Sequence, residues 1–322
     1  VTERRVGSVA AAGAGILFGT SNVATVYVLL SFTPVGGALY RSLIAAVLIA
    51  ILWVATALLV RRARRGLAPA APDVPPRPWQ DRLVRVLIIG LCGGPAFLVG
   101  LNLAVEGTGP TVTAFVSGLY AVFAAALAPF VLSEPLRARV VVGLVSSLVG
   151  CALLSGLRPD PAFTQGFIAA FVAAVIYGFY LVLGRRWSAI YELGPLPITA
   201  STVGTTIAVL VPWILVADRA ALGIDGPVPE AVIALIVMGI ALAVGQSLVM
   251  ASARRIQAAR TAAFLLLNPV SALILAAILL GERLEPVQIL GAGLVLVGIA
   301  IAIGLDRLVW TSRTAISPGS GA

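Results

Sequence analysis

The chain has 322 residues, 60% of them hydrophobic and only 11% charged, with a mean hydropathy of +1.07. A soluble domain carries about 25% charged residues, so this composition cannot build a water-facing surface, and a bilayer is the solvent that suits it. The formal charge of +9 does not imply a nucleic-acid partner: all 22 basic residues are arginine, mostly clustered between apolar runs as the positive-inside rule expects.

Apolar runs bounded by Pro, Gly or charge fall at 8–30, 36–60, 83–105, 110–132, 138–157, 164–184, 195–217, 228–251, 258–280 and 287–305. They are about twice as long as a barrel strand and do not alternate, so each reads as a spanning helix. The first follows Arg4-Arg5 but is too long for a signal-peptide core, and it reads as a retained span. The second carries Arg41 a few residues past its outer start. Between the second and third runs, residues 61–82 form the one long connection. It holds RRARR and then five prolines, at 69, 72, 75, 76 and 78, which favour an extended solvated linker. Its basic run is suited to anionic lipid headgroups. Cys92 and Cys151 lie inside apolar runs with no neighbouring ligand residue, which indicates packing rather than metal or redox chemistry. The tail at 309–322 has a disordered composition.

Charge sets the expected orientation. With the N-terminus in the cytoplasm, 18 arginines lie inside and three outside (Arg158, Arg219, Arg283), with Arg41 within a span. That split places both termini in the cytoplasm and requires an even number of spans.

A shift of 148 residues superimposes LSEPLRARVVVGLVSSLVG, ending at Gly150, on LGERLEPVQILGAGLVLVG, ending at Gly298. Glu134 falls on Glu282, Gly143 on Gly291 and Thr113 on Thr261. Each unit then holds five spans. Five is odd, so the second unit is inverted, a recurring build for secondary transporters with substrate held near the midplane. The expected fold is an all-α integral membrane protein of ten transmembrane helices in two inverted five-helix repeats. The first unit covers 1–157 and the second 158–308.

FGTSN at 18–22, ALYRSLIAA at 38–46, LSEPL at 132–136, LNP at 267–269 and LLGERLEP at 279–286 resemble the EamA-type transporters of the drug/metabolite transporter superfamily. The resemblance spans nearly the whole chain. It implies ten helices, two inverted repeats, a central cavity and export of amino acids, metabolites or toxic compounds. Two positions depart from the family pattern: Phe18 stands where Trp is common, and Ala121 where the second half has Pro269.

Polar residues inside a bilayer are costly and face a cavity or a partner. Asn22 shares a helix face with Gly15 and Gly19; Tyr120 shares one with Thr113 and Ser117; Gln246 shares one with Gly239 and Ala243. Asn102 lies near the outer end of the third span, Tyr177 and Tyr180 lie in the sixth, and the repeat maps Tyr120 onto Asn268. Asn22, Arg41, Asn102, Tyr120, Tyr177, Gln246 and Asn268 are therefore the expected substrate pathway. The glycines read equally as helix contacts. Arg41 has two readings, a partner for a substrate carboxylate or a side chain snorkelling to the outer headgroups. Glu134 and Glu282, at helix ends, are expected to cap or to pair with loop arginines.

The sequence has no histidine and no acid in the middle of a span, so a proton relay through a deep carboxylate is not expected; Glu106 is the remaining candidate. No metal or cofactor is implied. A membrane enzyme would need a catalytic constellation, and none is present. Transport of phosphorylated substrates such as nucleotide sugars would want several cations. The expected function is a secondary transporter in the inner membrane, exporting small, partly apolar metabolites, with membrane lipids as its surroundings. Oligomeric state is left open. A reporter fused after Arg313 is expected to be active in the cytoplasm; activity confined to the periplasm would overturn the orientation.

Overall fold

The computed structural model describes residues 2–63, 79–132, 138–154, 160–191, 194–217, 219–223, 226, 228–256, 261, 264–265 and 267–303. Most of the expected linker, the tail and Glu134 lie outside the described residues. Among the described residues every regular element is helical: α1 Thr2–Leu29, α2 Pro34–Ala63, α3 Trp79–Gly93, α4 Pro95–Ser117, α5 Tyr120–Leu132, α6 Ala138–Leu154, α7 Pro161–Tyr191 and α8 Pro195–Ala217. A short 3₁₀ turn, Arg219–Leu222, leads to α9 Val228–Ile240, a π turn Ala241–Gly245 and α10 Gln246–Arg255. The last two helices are α11 Leu267–Leu279 and α12 Pro286–Ile303.

Among the described residues, six stretches are long and apolar enough to cross a bilayer: Glu3–Leu29, Pro34–Leu58, Leu83–Val131, Pro161–Trp187, Pro195–Ala217 and Val228–Ser252. Large apolar side chains such as Phe130, Val216 and Ile278 are left exposed, which lipid accepts and water does not. Leu83–Val131 has 49 residues. As one straight helix it would be about 74 Å long, against a hydrocarbon core of about 30 Å.

Three interruptions divide that stretch. The run expected at 83–105 breaks at Gly94, where a Cβ would lie 2.5 Å from the Thr202 carbonyl of α8, and Pro95 then opens α4. The elbow exists because the two backbones approach too closely for any side chain. Within α4, Gly109 has φ 79° and ψ 169°, a conformation open essentially only to glycine. Pro110 follows, suited to a first helical position because its missing N–H would have had no partner there. The run expected at 110–132 breaks again at Gly118-Leu119, so Tyr120 starts α5.

Helices α6 and α12 form the most extensive pair. A Cβ on Gly150 would lie 2.7 Å from the Gly291 carbonyl, and one on Gly291 would lie 2.7 Å from the Gly150 carbonyl. A Cβ on Gly298 would lie 2.6 Å from the Gly143 carbonyl. Gly143 meeting Gly298 and Gly150 meeting Gly291 means the helices run antiparallel. Ser146 Oγ donates to the Leu294 carbonyl at 3.3 Å and Ser147 Oγ to that of Val295 at 3.4 Å, each across 148 residues. Residues in the same place in the sequence shift thus meet each other, as they would about a local two-fold axis. Small residues let the backbones close in, which is the usual basis of tight helix pairs in membranes.

Gly150→Val should therefore lower the unfolding temperature in detergent, by overpacking worth about 1–3 kcal/mol. Gly204→Ala on α8, where a Cβ meets nothing within 4 Å, should leave it unchanged or raise it. Equal behaviour of the two variants would refute the close-packing account.

Candidate functional site

Helices α1, α2, α4, α5, α7, α9, α10 and α11, with the π turn, surround a central cavity of about 40 Å³. Its apolar wall is built by Phe18, Phe97, Leu98, Leu101, Met238, Ala241 and Leu242. Its polar groups come from Ser21, Asn22, Arg41, Ser117, Tyr120, Tyr177, Gln246 and Asn268. Asn22, Arg41, Tyr120, Tyr177, Gln246 and Asn268 are each no more than 5% exposed, so these polar groups lie deep in the protein. Its volume suits about three waters, well short of the roughly 300 Å³ of a typical ligand pocket.

Polar groups at this depth are held by one another. Asn22 Nδ2 donates to Asn268 Oδ1 at 3.1 Å, joining α1 to α11. Tyr120 is within hydrogen-bonding reach of the Asn268 side chain. Tyr177 and Tyr180, almost one turn apart on α7, both donate to Gln246 Oε1, at 3.2 and 2.9 Å. One amide oxygen has two lone pairs and accommodates both phenols. The π turn immediately precedes Gln246. Its wider turn rotates the residues that follow relative to a continuous α-helix, as such bulges do at functional sites. Phe97 stacks on Tyr177 with ring centroids 4.3 Å apart, and Tyr120 meets Tyr177 edge-on at 5.1 Å.

Arg41 is 2% exposed. It is the eighth residue of α2, about 10 Å from the helix start at 1.5 Å per residue. Its NH2 donates to the Leu98 carbonyl of α4 at 2.6 Å, while Nε is buried without a hydrogen-bond partner. A snorkelling side chain would extend to the surface; this one turns inward. An arginine at the centre of a spanning helix costs about 3 kcal/mol, a cost that a cavity and a carbonyl contact reduce.

Six of the seven residues expected from sequence are thus brought to one cavity. Asn102 is not: its Nδ2 donates to the Pro34 carbonyl at 2.7 Å, tying α4 to the first turn of α2. The glycine stripes serve packing. A Cβ on Gly15 would meet the Phe264 carbonyl at 2.9 Å, and one on Gly239 would meet the Ile44 side chain. Glu106 is exposed on α4, away from the cavity. Glu282 accepts from Thr111 Oγ1 at 2.8 Å and caps the helical stretch that Pro110 opens. Burial raises its carboxyl pKa above the ordinary value, and the Thr111 hydrogen bonds oppose that shift. The sequence marks Phe18 only as a departure from the family pattern and does not single out Phe97; neither is expected from it to line the site. Phe18 lies four residues before Asn22, on the same helix face; Phe97 follows the Gly93-Gly94-Pro95 breaker inside an apolar run.

The EamA-like transporter family matches the chain twice, over residues 5–156 and 164–304. An uncharacterized transporter of Clostridium kluyveri is 26% identical over 224 residues, 65% of this chain and 70% of the relative. An uncharacterized transporter of Bacillus subtilis is 27% identical over 202 residues, 62% of this chain and 63% of the relative. A solved structure with 19% sequence identity shares the fold at a TM-score of 0.64, covering 93% of this chain and 98% of that one.

Gln246→Leu removes the acceptor of two buried phenols. Leaving a buried donor unpaired costs about 1–3 kcal/mol, so the variant should unfold at a clearly lower temperature. Tyr177→Phe combined with Tyr180→Phe on the Leu background should recover part of that loss. No recovery would mean that the phenols do not depend on this oxygen.

Proposed function

We propose, for a chain that belongs to the EamA-like transporter family, an exporter of small, partly apolar metabolites that works by alternating access around the central cavity. Family membership makes the protein a multi-pass membrane transporter. The finer reading has ten spans in two inverted five-helix units, 1–157 and 158–308, with both termini cytoplasmic in the inner membrane. The double family match supports two units, and the reciprocal α6–α12 contacts are what an inverted pair would produce. The 49-residue apolar stretch broken at Gly109 suits two crossings better than one.

The observation that carries the function is the meeting of Tyr120 and Asn268 at one cavity. They are separated by 148 residues, and each stands at the start of a helix, Tyr120 as the first residue of α5 and Asn268 as the second of α11. A substrate between two such units touches both, which is the arrangement alternating access needs. Transport of nucleotide sugars is the weaker reading: Arg41 is the one cation among the lining residues, and a phosphate group wants several.

Asn268→Ala and Tyr120→Phe should each weaken transport by roughly tenfold to a hundredfold, since an unpaired polar group costs about 1–3 kcal/mol. The measurement is retention of a labelled metabolite panel by cells with and without the protein, alongside unfolding temperatures of the purified variants. Equal retention of every compound would remove the exporter reading. A stability loss with unchanged apparent affinity would remove these two residues from the site.

A further inference from the structure

The hydrogen bonds of the cavity leave donors over. Asn22 Nδ2 is committed to Asn268 Oδ1, and Gln246 Oε1 accepts both tyrosine hydroxyls. Arg41 Nε remains buried without a partner, and Gln246 is held through its Oε1. The lining contains one arginine and no carboxylate. A cation bound here would face the guanidinium without a counter-charge, and a dianion would keep one charge uncompensated in a buried site. A single negative charge balances the site.

We propose that the cavity, when widened beyond the about 40 Å³ it has here, is selective for small monocarboxylates, with the carboxylate held by Arg41 and Gln246 and the apolar or aromatic body against Phe97 and Tyr177. The planar guanidinium matches a carboxylate geometrically, which an ammonium does not. The NH2 bond to the Leu98 carbonyl anchors the group and fixes its plane. Phe97, Tyr177 and Tyr120 pack ring against ring in the same lining and supply its aromatic side. The inference rests on the transporter reading only in taking this cavity as the substrate site. The competing account makes Arg41 a staple between α2 and α4, for which any donor reaching Leu98 would serve.

The test is calorimetric titration of the purified full chain in detergent with phenylacetate, hexanoate, the uncharged amide of each, and inorganic phosphate. Both acids should bind at least tenfold tighter than their amides, and phosphate should not compete. Arg41→Gln should erase the preference for acid over amide, and Arg41→Lys should keep it at reduced affinity. Gln246→Glu keeps an acceptor for the phenols but adds a like charge, and should weaken the acids at least tenfold. Acids and amides bound alike, phosphate preferred, no acid bound, or an acid preference that survives Arg41→Gln would each overturn the proposal. If Arg41→Gln does not fold, an undiminished acid preference in Gln246→Glu overturns it. Binding needs no turnover, so vesicles loaded with the same acids separate the two readings. Arg41-dependent binding without efflux keeps this inference and removes the transport mechanism. Efflux without acid preference does the reverse.

Discussion

A backbone N–H or C=O left unpaired inside a bilayer has no water to turn to, so each interruption of a helix at depth must find its partners within the protein. The interruptions within the apolar stretches of the described residues are met by contacts nearby. Gly109 ends one helical stretch, Pro110 opens the next with one donor fewer to satisfy, and Glu282 arrives from the segment between α11 and α12 to cap it. The Gly94 elbow lies against the α8 backbone. The π turn at 241–245 stays helical and changes only the direction in which later side chains point. These sites bend the helices around a centre, and the polar side chains collect there.

The same rule explains the contrast between the cavity and the α6–α12 pair. The pair uses glycine and serine, so its hydroxyls bond to the partner helix's carbonyls and its backbones touch. At the cavity, tyrosine, asparagine and glutamine side chains bond across helices to one another. Side chains rather than backbones carry the cross-helix bonds, and side chains can exchange partners at less cost than a helix can move.

Much of this was legible in the sequence. Helix positions followed from apolar runs. The grouping of Asn22, Tyr120, Gln246 and Asn268 followed from the rule that polar groups at depth face inward, and the 148-residue shift picked out the glycines that lie between α6 and α12. The breaks were less legible. Gly94 and Gly118 sit inside apolar runs long enough to read as single spans; Gly93-Gly94-Pro95 is a local breaker, but the close contact with α8 that fixes the elbow and the turn at Gly118 are not set by local pattern. The π turn ALAVG is helix-forming by composition; its extra residue depends on tertiary packing. Asn102 shows the limit of the polar-faces-inward rule, since a single backbone carbonyl, that of Pro34, is partner enough to hold it elsewhere.

The cavity is stable as it stands because its polar groups satisfy one another. Asn22 and Asn268 form one pair, and two phenols share the Gln246 oxygen. A guest that binds there must replace these bonds with its own, and each exchange is close to neutral when a like bond is remade. The net gain therefore has to come from a group whose potential is not already met. Arg41 Nε is that group among the described residues lining the cavity. Satisfied pairs of this kind also limit how tightly a guest can be held, and a carrier must release its cargo on the far side. A site in which most bonds are exchanged and few are newly made serves recognition without becoming a trap.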